Sequence, residues 1–180
     1  MRMKKNSAPK KLDAGRLWEY ALRTLSGRAM TTGEVRQRLK RRAEEEGDVE
    51  PVIARLKESA LLDDKRFAES FAASRKENQG FGRQRVARDL RQRRVAPGLA
   101  EKTVEEAYAG SDEVELIEEF LARKFRGKNL PQLLGEEKGL ASAFRKLRYA
   151  GFSAGNAIRV LRRYSEMADQ LEEEDGGQRD

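Results

Sequence analysis

The sequence predicts an all-α fold, an elongated, curved array of three tandem three-helix repeats. Apolar residues recur at helical spacing through residues 14–164. Helix caps and core positions return together after about fifty residues, a period typical of helical repeat arrays, in which each unit contacts mainly its neighbours. Runs of β-branched residues, which favour strands, are missing. The alternative is an all-helical protein whose heptads match only loosely.

The first repeat is predicted over residues 14–60. Its second helix should begin at Thr31, because Thr31 and Glu34 have the spacing of a capping box, in which each side chain pairs with a backbone amide. A third helix should start near Asp48. It accommodates Pro51 in its first turn, where the missing amide would have no helical partner anyway.

The second repeat is predicted over residues 61–110. Asp63 is the expected N-cap of its first helix, and Gly80 and Gly82 mark the turn before the second, since glycine tolerates a left-handed cap. The third helix should open at Pro97. The residues predicted to face the core are Phe67, Ala68, Phe71, Ala72, Val86, Ala87, Leu90, Leu99, Val104, Ala107 and Tyr108.

The third repeat is predicted over residues 111–165. Ser111 is the expected N-cap of its first helix. A loop longer than those of the other repeats should run from Gly127 to Gly139, and Ser153 should cap the last helix. Outside the repeats, residues 1–13 are predicted to be a disordered basic arm and residues 166–180 an acidic disordered tail.

Composition narrows the classes of function. The 180 residues contain neither cysteine nor histidine, which removes Ser-His-Asp and Cys-His catalysis, thiolate metal sites and ordinary zinc sites. The Asp63-Asp64 pair is better explained by helix capping than by acid–base chemistry. No apolar run approaches a membrane span, and the start of the chain lacks the apolar core of a secretory signal. We therefore expect a cytoplasmic, non-enzymatic protein without cofactor, metal or small-molecule substrate.

The charge pattern predicts the binding surface. The chain has a formal net charge of +7, and at about 100° per residue the second helix of each repeat is basic on the face opposite its core. This face could follow a phosphate backbone, lie along an acidic protein groove, or serve solubility alone. The predicted partner-binding or DNA-binding residues, including those of the closing helix, are Arg38, Lys40, Arg41, Arg85, Arg88, Arg91, Arg145, Lys146, Arg159, Arg162 and Arg163.

One stretch resembles a known family. The segment LLDDKRFAESFAASR, followed by GFGRQRVARDLRQRRV, is similar to the central signature of the RecX family, regulators of the bacterial recombinase RecA. ALRTLSGRAMTTGEVRQRL resembles the family's first repeat and LRYAGFSAGNAIRVLRR its last, so the resemblance covers residues 15–164. The sequence departs from the commoner pattern at RRVAPGLAE and in the EEEGD insertion of the first repeat.

The resemblance implies a function. Members of the family lie in the groove of the RecA–DNA filament, span neighbouring subunits, and inhibit the ATPase, strand-exchange and co-protease activities of RecA. The expected partner is therefore the RecA nucleoprotein filament, with direct contact to DNA as a further expectation, and the protein is expected to be a monomer. The alternative is a stand-alone DNA-binding or nucleoid-type helical protein.

Overall fold

The fold was analysed in a computed structural model that describes residues 11–171. Within this range the chain forms ten α-helices and two short 3₁₀ helices, and its one β contact is an isolated bridge between Leu12 and Ala43. Three separate hydrophobic clusters lie along the chain, one for each predicted repeat. The all-α repeat array predicted from the sequence is confirmed.

The first unit contains α1 (Ala14–Gly27), α2 (Thr32–Arg42) and α3 (Val49–Glu58), with a 3₁₀ turn at Glu46–Asp48. The predicted capping box is present at the start of α2. The Glu34 amide donates to the Thr31 hydroxyl (3.1 Å), and the Thr31 amide donates to the Glu34 carboxylate (3.2 Å). The core of this unit includes Leu17, Val35, Leu39, Ile53 and Leu56.

The second unit contains α4 (Asp64–Glu77), α5 (Arg83–Gln92) and α6 (Pro97–Ala107). Asp63 caps α4 as predicted, because its carboxylate accepts the Arg66 amide at 2.9 Å. The core contains Ala68, Ala72, Val86, Leu90 and the fully buried ring of Tyr108, while Phe67 and Phe71 remain half-exposed at its edge.

The third unit contains α7 (Glu113–Lys124), α8 (Leu130–Gly135), α9 (Glu137–Ala150) and α10 (Ala154–Leu161). Two predictions are corrected here. The long loop contains α8, which Asn129 caps and whose Leu134 is buried. Asp112 rather than Ser111 caps α7, since its carboxylate accepts the Val114 amide at 2.8 Å.

The described residues of the two predicted ends make ordered contacts. The Leu12 amide donates to the Arg42 carbonyl (2.8 Å), and Asp13 caps α1. At the other end, Glu166–Gln170 forms a 3₁₀ helix, and Ala168 and Leu171 are buried in the third cluster. These apolar residues anchor the first part of the acidic tail. Residues 1–10 and 172–180, the rest of the predicted arm and tail, lie outside the described residues.

Candidate partner-binding surface

The second helices of the three units, α9, α5 and α2, meet end to end. At the first joint, the amide of Gly82, the residue before α5, donates to the carbonyl of Ala150 at the end of α9 (2.8 Å). At the second joint, the hydroxyl of Thr31, the residue before α2, donates to the carbonyl of Arg93 after α5 (2.6 Å). Helix ends leave backbone amides and carbonyls without helical partners. Each joint therefore satisfies polar groups of both helices.

The first joint requires glycine at two positions. Gly151 has a φ of 90°, and a Cβ added there would lie 2.2 Å from the backbone nitrogen of Arg85. A Cβ added at Gly82 would lie 2.5 Å from the carbonyl oxygen of Gly151, which also accepts the Gln84 amide at 3.2 Å. The backbones of α5 and α9 approach too closely for any side chain between them.

The second joint is held by a partly buried ion pair. Arg93 donates through Nε and Nη2 to the two carboxylate oxygens of Glu34 (2.7 and 3.0 Å), and the Thr32 amide donates to Asp64 (2.7 Å). Burial alone would raise the pKa of Glu34, but the hydrogen bonds from Arg93 and from the Thr31 amide outweigh it, so the pKa is lowered. Glu34 therefore both caps α2 and connects the first unit to the second.

Between the two joints, arginine and aromatic side chains alternate in what we call the arginine–aromatic ladder. Guanidinium groups over aromatic faces are attracted by the ring quadrupole. Each of the three arginines here reaches two rings, including Arg93, which also lies 5.8 Å from the Phe71 centroid. The distances from guanidinium carbon to ring centroid are 4.8 Å for Arg93 over Phe67, 4.8 and 5.8 Å for Arg75 over Phe71 and Phe81, and 5.0 and 4.3 Å for Arg85 over Phe81 and Tyr149.

A buried carboxylate organises the middle of the ladder. Asp89 is 7% exposed, accepts the Arg85 Nε at 2.9 Å and lies 3.8 Å from the Arg75 Nε. Its charge is thereby balanced by arginines from both α4 and α5. A carboxylate left unpaired in this position would be costly, because burial removes its hydration.

Six of the predicted binding residues carry no ion pair among the described residues. They lie on α2, α5, α9 and α10, so charge that is not neutralised locally occurs on all three second helices and on the closing helix. Five are exposed, and the half-buried Lys146 donates to the Ser142 hydroxyl. The six are Arg38, Arg41, Arg88, Arg145, Lys146 and Arg159.

The other five predicted binding residues are paired within the chain. Four of these pairs are largely exposed, and such pairs contribute little to stability. The fifth residue, Arg85, is only half-exposed and belongs to the ladder, so its charge points into the joint rather than outward. The pairs are Lys40 with Glu46 (2.6 Å), Arg85 with Asp89 (2.9 Å), Arg91 with Glu101 (3.9 Å), Arg162 with Asp169, and Arg163 with Glu118.

A cleft of about 460 Å³ opens beside the first joint, between the second and third units. Its walls combine apolar surface with cationic side chains from α7 and α9. Sequence reasoning identified Arg145 and Lys146 but missed Arg123 and Lys124, whose only signal was their position in the last turn of α7. The lining residues are Gln79, Phe81, Phe120, Arg123, Lys124, Ser142, Arg145, Lys146, Tyr149 and Ala150.

A polar cluster fixes the third unit behind this cleft. The carboxylate of Glu113 at the start of α7 accepts the Ser153 amide (3.1 Å) and the Asn156 side-chain amide (2.6 Å), as well as the Ser153 hydroxyl. Burial raises the pKa of Glu113, but these hydrogen bonds outweigh it and the net pKa is lowered. Glu113 thereby ties the N-terminus of α7 to that of α10.

The described residues also limit the chemistry of this surface. Among residues 11–171, no group of three or more histidine, cysteine or acidic side chains is arranged to hold a metal ion. In the same range, none of the helices combines the length and apolarity that crossing a membrane requires.

Comparison with known proteins identifies the family. Family models described as the first and second three-helix domains of RecX match residues 18–56 and 63–104. The regulatory protein RecX of Chlorobaculum tepidum is 33% identical over 159 residues, which cover 86% of this chain and 94% of that protein. The chain belongs to the RecX family. It is thus a member of a family of regulatory proteins.

Two further similarities concern a sequence relative and a solved structure. The regulatory protein RecX of Halorhodospira halophila is 47% identical over 89 residues, which cover 49% of this chain and 55% of that relative. The crystal structure of RecX from Lactobacillus salivarius shares the fold, with a TM-score of 0.59, 19% identity, and coverage of 84% of this chain and 96% of that one. The RecX array of three-helix units therefore extends beyond the two matched domains.

Proposed function

We propose that this RecX family protein modulates RecA, mainly as an inhibitor, by lying in the groove of the RecA–DNA filament and bridging protomers. It thereby limits the ATPase, strand-exchange and co-protease activities of RecA. The observation that supports this most strongly is the end-to-end line of α9, α5 and α2, each of which presents at least one exposed arginine. Family membership supplies the regulatory role, and the line of helices supplies a surface long enough to contact more than one subunit.

The two joints determine how such a surface would act. The three helices contain on the order of 50 Å of helix length at ~1.5 Å per residue. Backbone hydrogen bonds at the first joint, the Thr31 hydroxyl bond at the second joint and the Arg93–Glu34 ion pair hold their order. A surface of fixed order is preorganised, so less conformational freedom is lost when it binds a repeating partner.

The proposed action is stoichiometric and non-enzymatic. The chain has no histidine or cysteine, and the strongly held carboxylates Glu34, Asp89 and Glu113 are each occupied by arginine or by capping groups. Inhibition should therefore depend on how much of the filament is covered. Preincubation time should not increase it once binding has reached equilibrium.

A binding titration separates this function from the alternative of a stand-alone DNA-binding protein. Purified protein is titrated against naked single-stranded DNA, naked duplex DNA and preformed RecA filaments at several salt concentrations. We expect tighter binding to the filament with a shallower salt dependence, because contact with protein adds to contact with phosphates. Equal affinity for naked DNA and filament would refute the proposed function.

A further inference from the structure

The cleft between the second and third units combines two kinds of surface. The rings of Phe81 and Phe120 and the methyl of Ala150 provide apolar wall, and Tyr149, which is 66% exposed, stands at the rim. Phe120 also packs edge-on against the buried Phe152, at 5.6 Å between ring centroids. The apolar wall is thus continuous with the core of the third unit and is not a loose surface patch. The cleft volume of about 460 Å³ is large enough to take a large apolar side chain.

The polar lining of the cleft carries charge of one sign. Four of the lining residues are cationic and none is acidic. Arg123 donates to the carbonyls of Glu77 and Asn78 (3.3 Å each), which places its charge across the gap between the units. Lys124 and Arg145 are exposed and make no hydrogen bond or ion pair with the described residues. The charge here is therefore available to an incoming anionic group.

Two observations favour a peptide over a nucleic acid in the cleft. Stacking of successive bases needs several open aromatic faces, yet Phe81 is already covered by Arg85 and Arg75 (5.0 and 5.8 Å), and Tyr149 has Arg85 at 4.3 Å over its ring. Phe120 is only 7% exposed. The cleft therefore offers one apolar hole among cations and no stacking platform.

The chain's own acidic end lacks the group that would fill this hole. Residues 172–180 read EEEDGGQRD, which contains carboxylates but no large apolar side chain. The last large apolar residue before them, Leu171, is already buried in the third hydrophobic cluster. Residues 172–180 therefore do not supply the occupant, and a segment of a partner protein is the occupant that we consider.

We infer that the cleft binds an acidic segment of a partner protein, in which one large apolar or aromatic side chain is flanked by carboxylates. The apolar side chain enters between Phe81 and Phe120, and the carboxylates pair with Lys124 and Arg145. This inference rests on the proposed function, because it supplies one specific contact point for the filament protein. It concerns binding alone and involves no chemical step.

The test uses a short fluorescein-labelled peptide with one central phenylalanine between two Glu-Asp pairs. Binding of this peptide to the full-length protein is measured by fluorescence anisotropy. We expect saturable binding that weakens about tenfold or more in the double variant Lys124→Glu/Arg145→Glu, since truncated or reversed charge pairs at a desolvated contact are costly. The matched control is Arg23→Glu/Lys57→Glu, which makes the same change in net charge at exposed residues of α1 and α3 in the first unit. It should change affinity about twofold or less at physiological salt, where the screening length is about 8 Å.

Two further probes make the result decisive. A peptide with serine in place of phenylalanine should bind about tenfold more weakly, because the apolar contact is lost. Three results would overturn the inference. The two peptides could bind equally well, or both double variants could lose the same affinity. Oligothymidylate could also displace the labelled peptide at a lower concentration than unlabelled peptide does. Circular dichroism of each variant confirms that it is folded. The assay contains no RecA. A negative result would therefore not decide the proposed function, which is tested separately by the titration against naked DNA and RecA filaments.

Discussion

The guanidinium of Arg85 connects two units of the array through Tyr149. Its carbon lies 4.3 Å from the Tyr149 ring centroid, its Nη1 donates to the Tyr149 carbonyl (3.2 Å), and its Nε pairs with Asp89 (2.9 Å). One side chain of α5 thus holds both the ring and the backbone of α9. The arginine–aromatic ladder ends at this contact.

The Arg85–Tyr149 contact should be measurable as a coupling energy. A double-mutant cycle with Arg85→Met and Tyr149→Leu should give about 0.5–1 kcal/mol of coupling in urea denaturation, the usual size for a partly exposed cation–π pair. The matched cycle uses Arg88→Met, because Arg88 lies 6.0 Å from the same ring and is exposed. Coupling no larger for Arg85 than for Arg88 would show that the ring contact contributes nothing.

Substitution of the joint glycines should destabilise the contact between the second and third units. Gly151→Ala combines a φ of 90° with a Cβ 2.2 Å from the Arg85 backbone, and Gly82→Ala places a Cβ 2.5 Å from the Gly151 carbonyl. We expect each to lower the free energy of unfolding by about 1–3 kcal/mol. Gly155→Ala in α10 is the control, because no atom lies within 4 Å of its added Cβ. If thermal unfolding shows that Gly155→Ala destabilises the protein as much as the other two substitutions, the close backbone approach at Gly82 and Gly151 would be contradicted.

Removal of the buried carboxylate should release the ladder. Asp89→Ala leaves Arg85 and Arg75 without their shared partner. We expect the free energy of unfolding to fall by on the order of 2–3 kcal/mol. This is below the range for a fully buried pair, because the Arg75 side chain is 30% exposed. Glu106→Ala, which breaks an exposed pair with Lys102 at 3.9 Å, should cost less than about 0.5 kcal/mol. Chemical denaturation that shows equal losses for the two variants would remove Asp89 from its central role.

Two carboxylates should make the protein sensitive to acid. The folded state lowers the pKa of Glu34 and of Glu113 below the ordinary value of 4.5. Their stabilisation is therefore complete above that value and is lost as the pH falls through the lowered pKa of each. The double variant Glu34→Gln/Glu113→Gln should be less stable at neutral pH and should show a flatter decline below about pH 5. Urea midpoints that fall by the same amount with pH in the double variant and in the unaltered protein would contradict this dependence of stability on the two carboxylates.

Local sequence signals predicted the helices well. The Thr31–Glu34 capping box, the Asp63 cap and the Ser153 cap all lie where the sequence places them, because these signals act within one helical turn. The helix α8 was missed, since its six residues contain Pro131 and lie between glycines, which read as loop. Its stability comes from the burial of Leu134, which no local pattern reveals.

Contacts between units could not be read from the sequence. A helical wheel places Arg85 outward because it considers α5 alone, whereas α9 lies against that face and half-buries the side chain. The same reasoning missed the burial of Asp89 and the role of Arg93, which depend on α4 and α2. Lys124 was overlooked because it comes from a first helix. Periodicity identifies the face of a helix that is buried within its unit, but not the face that a neighbouring unit covers.

We propose that the exposed arginines of α9, α5 and α2 act together on the RecA filament. This proposal is tested by measuring the DNA-dependent ATPase of RecA with increasing amounts of the triple variant Arg38→Glu/Arg88→Glu/Arg145→Glu. The control, Arg23→Glu/Lys57→Glu/Arg126→Glu, makes the same change in net charge at exposed residues outside the second helices. We predict that the control inhibits like the unaltered protein, whereas the triple variant requires about tenfold more protein or fails to inhibit. Equal inhibition by both variants, with helicity unchanged, would show that these three arginines do not act on the filament.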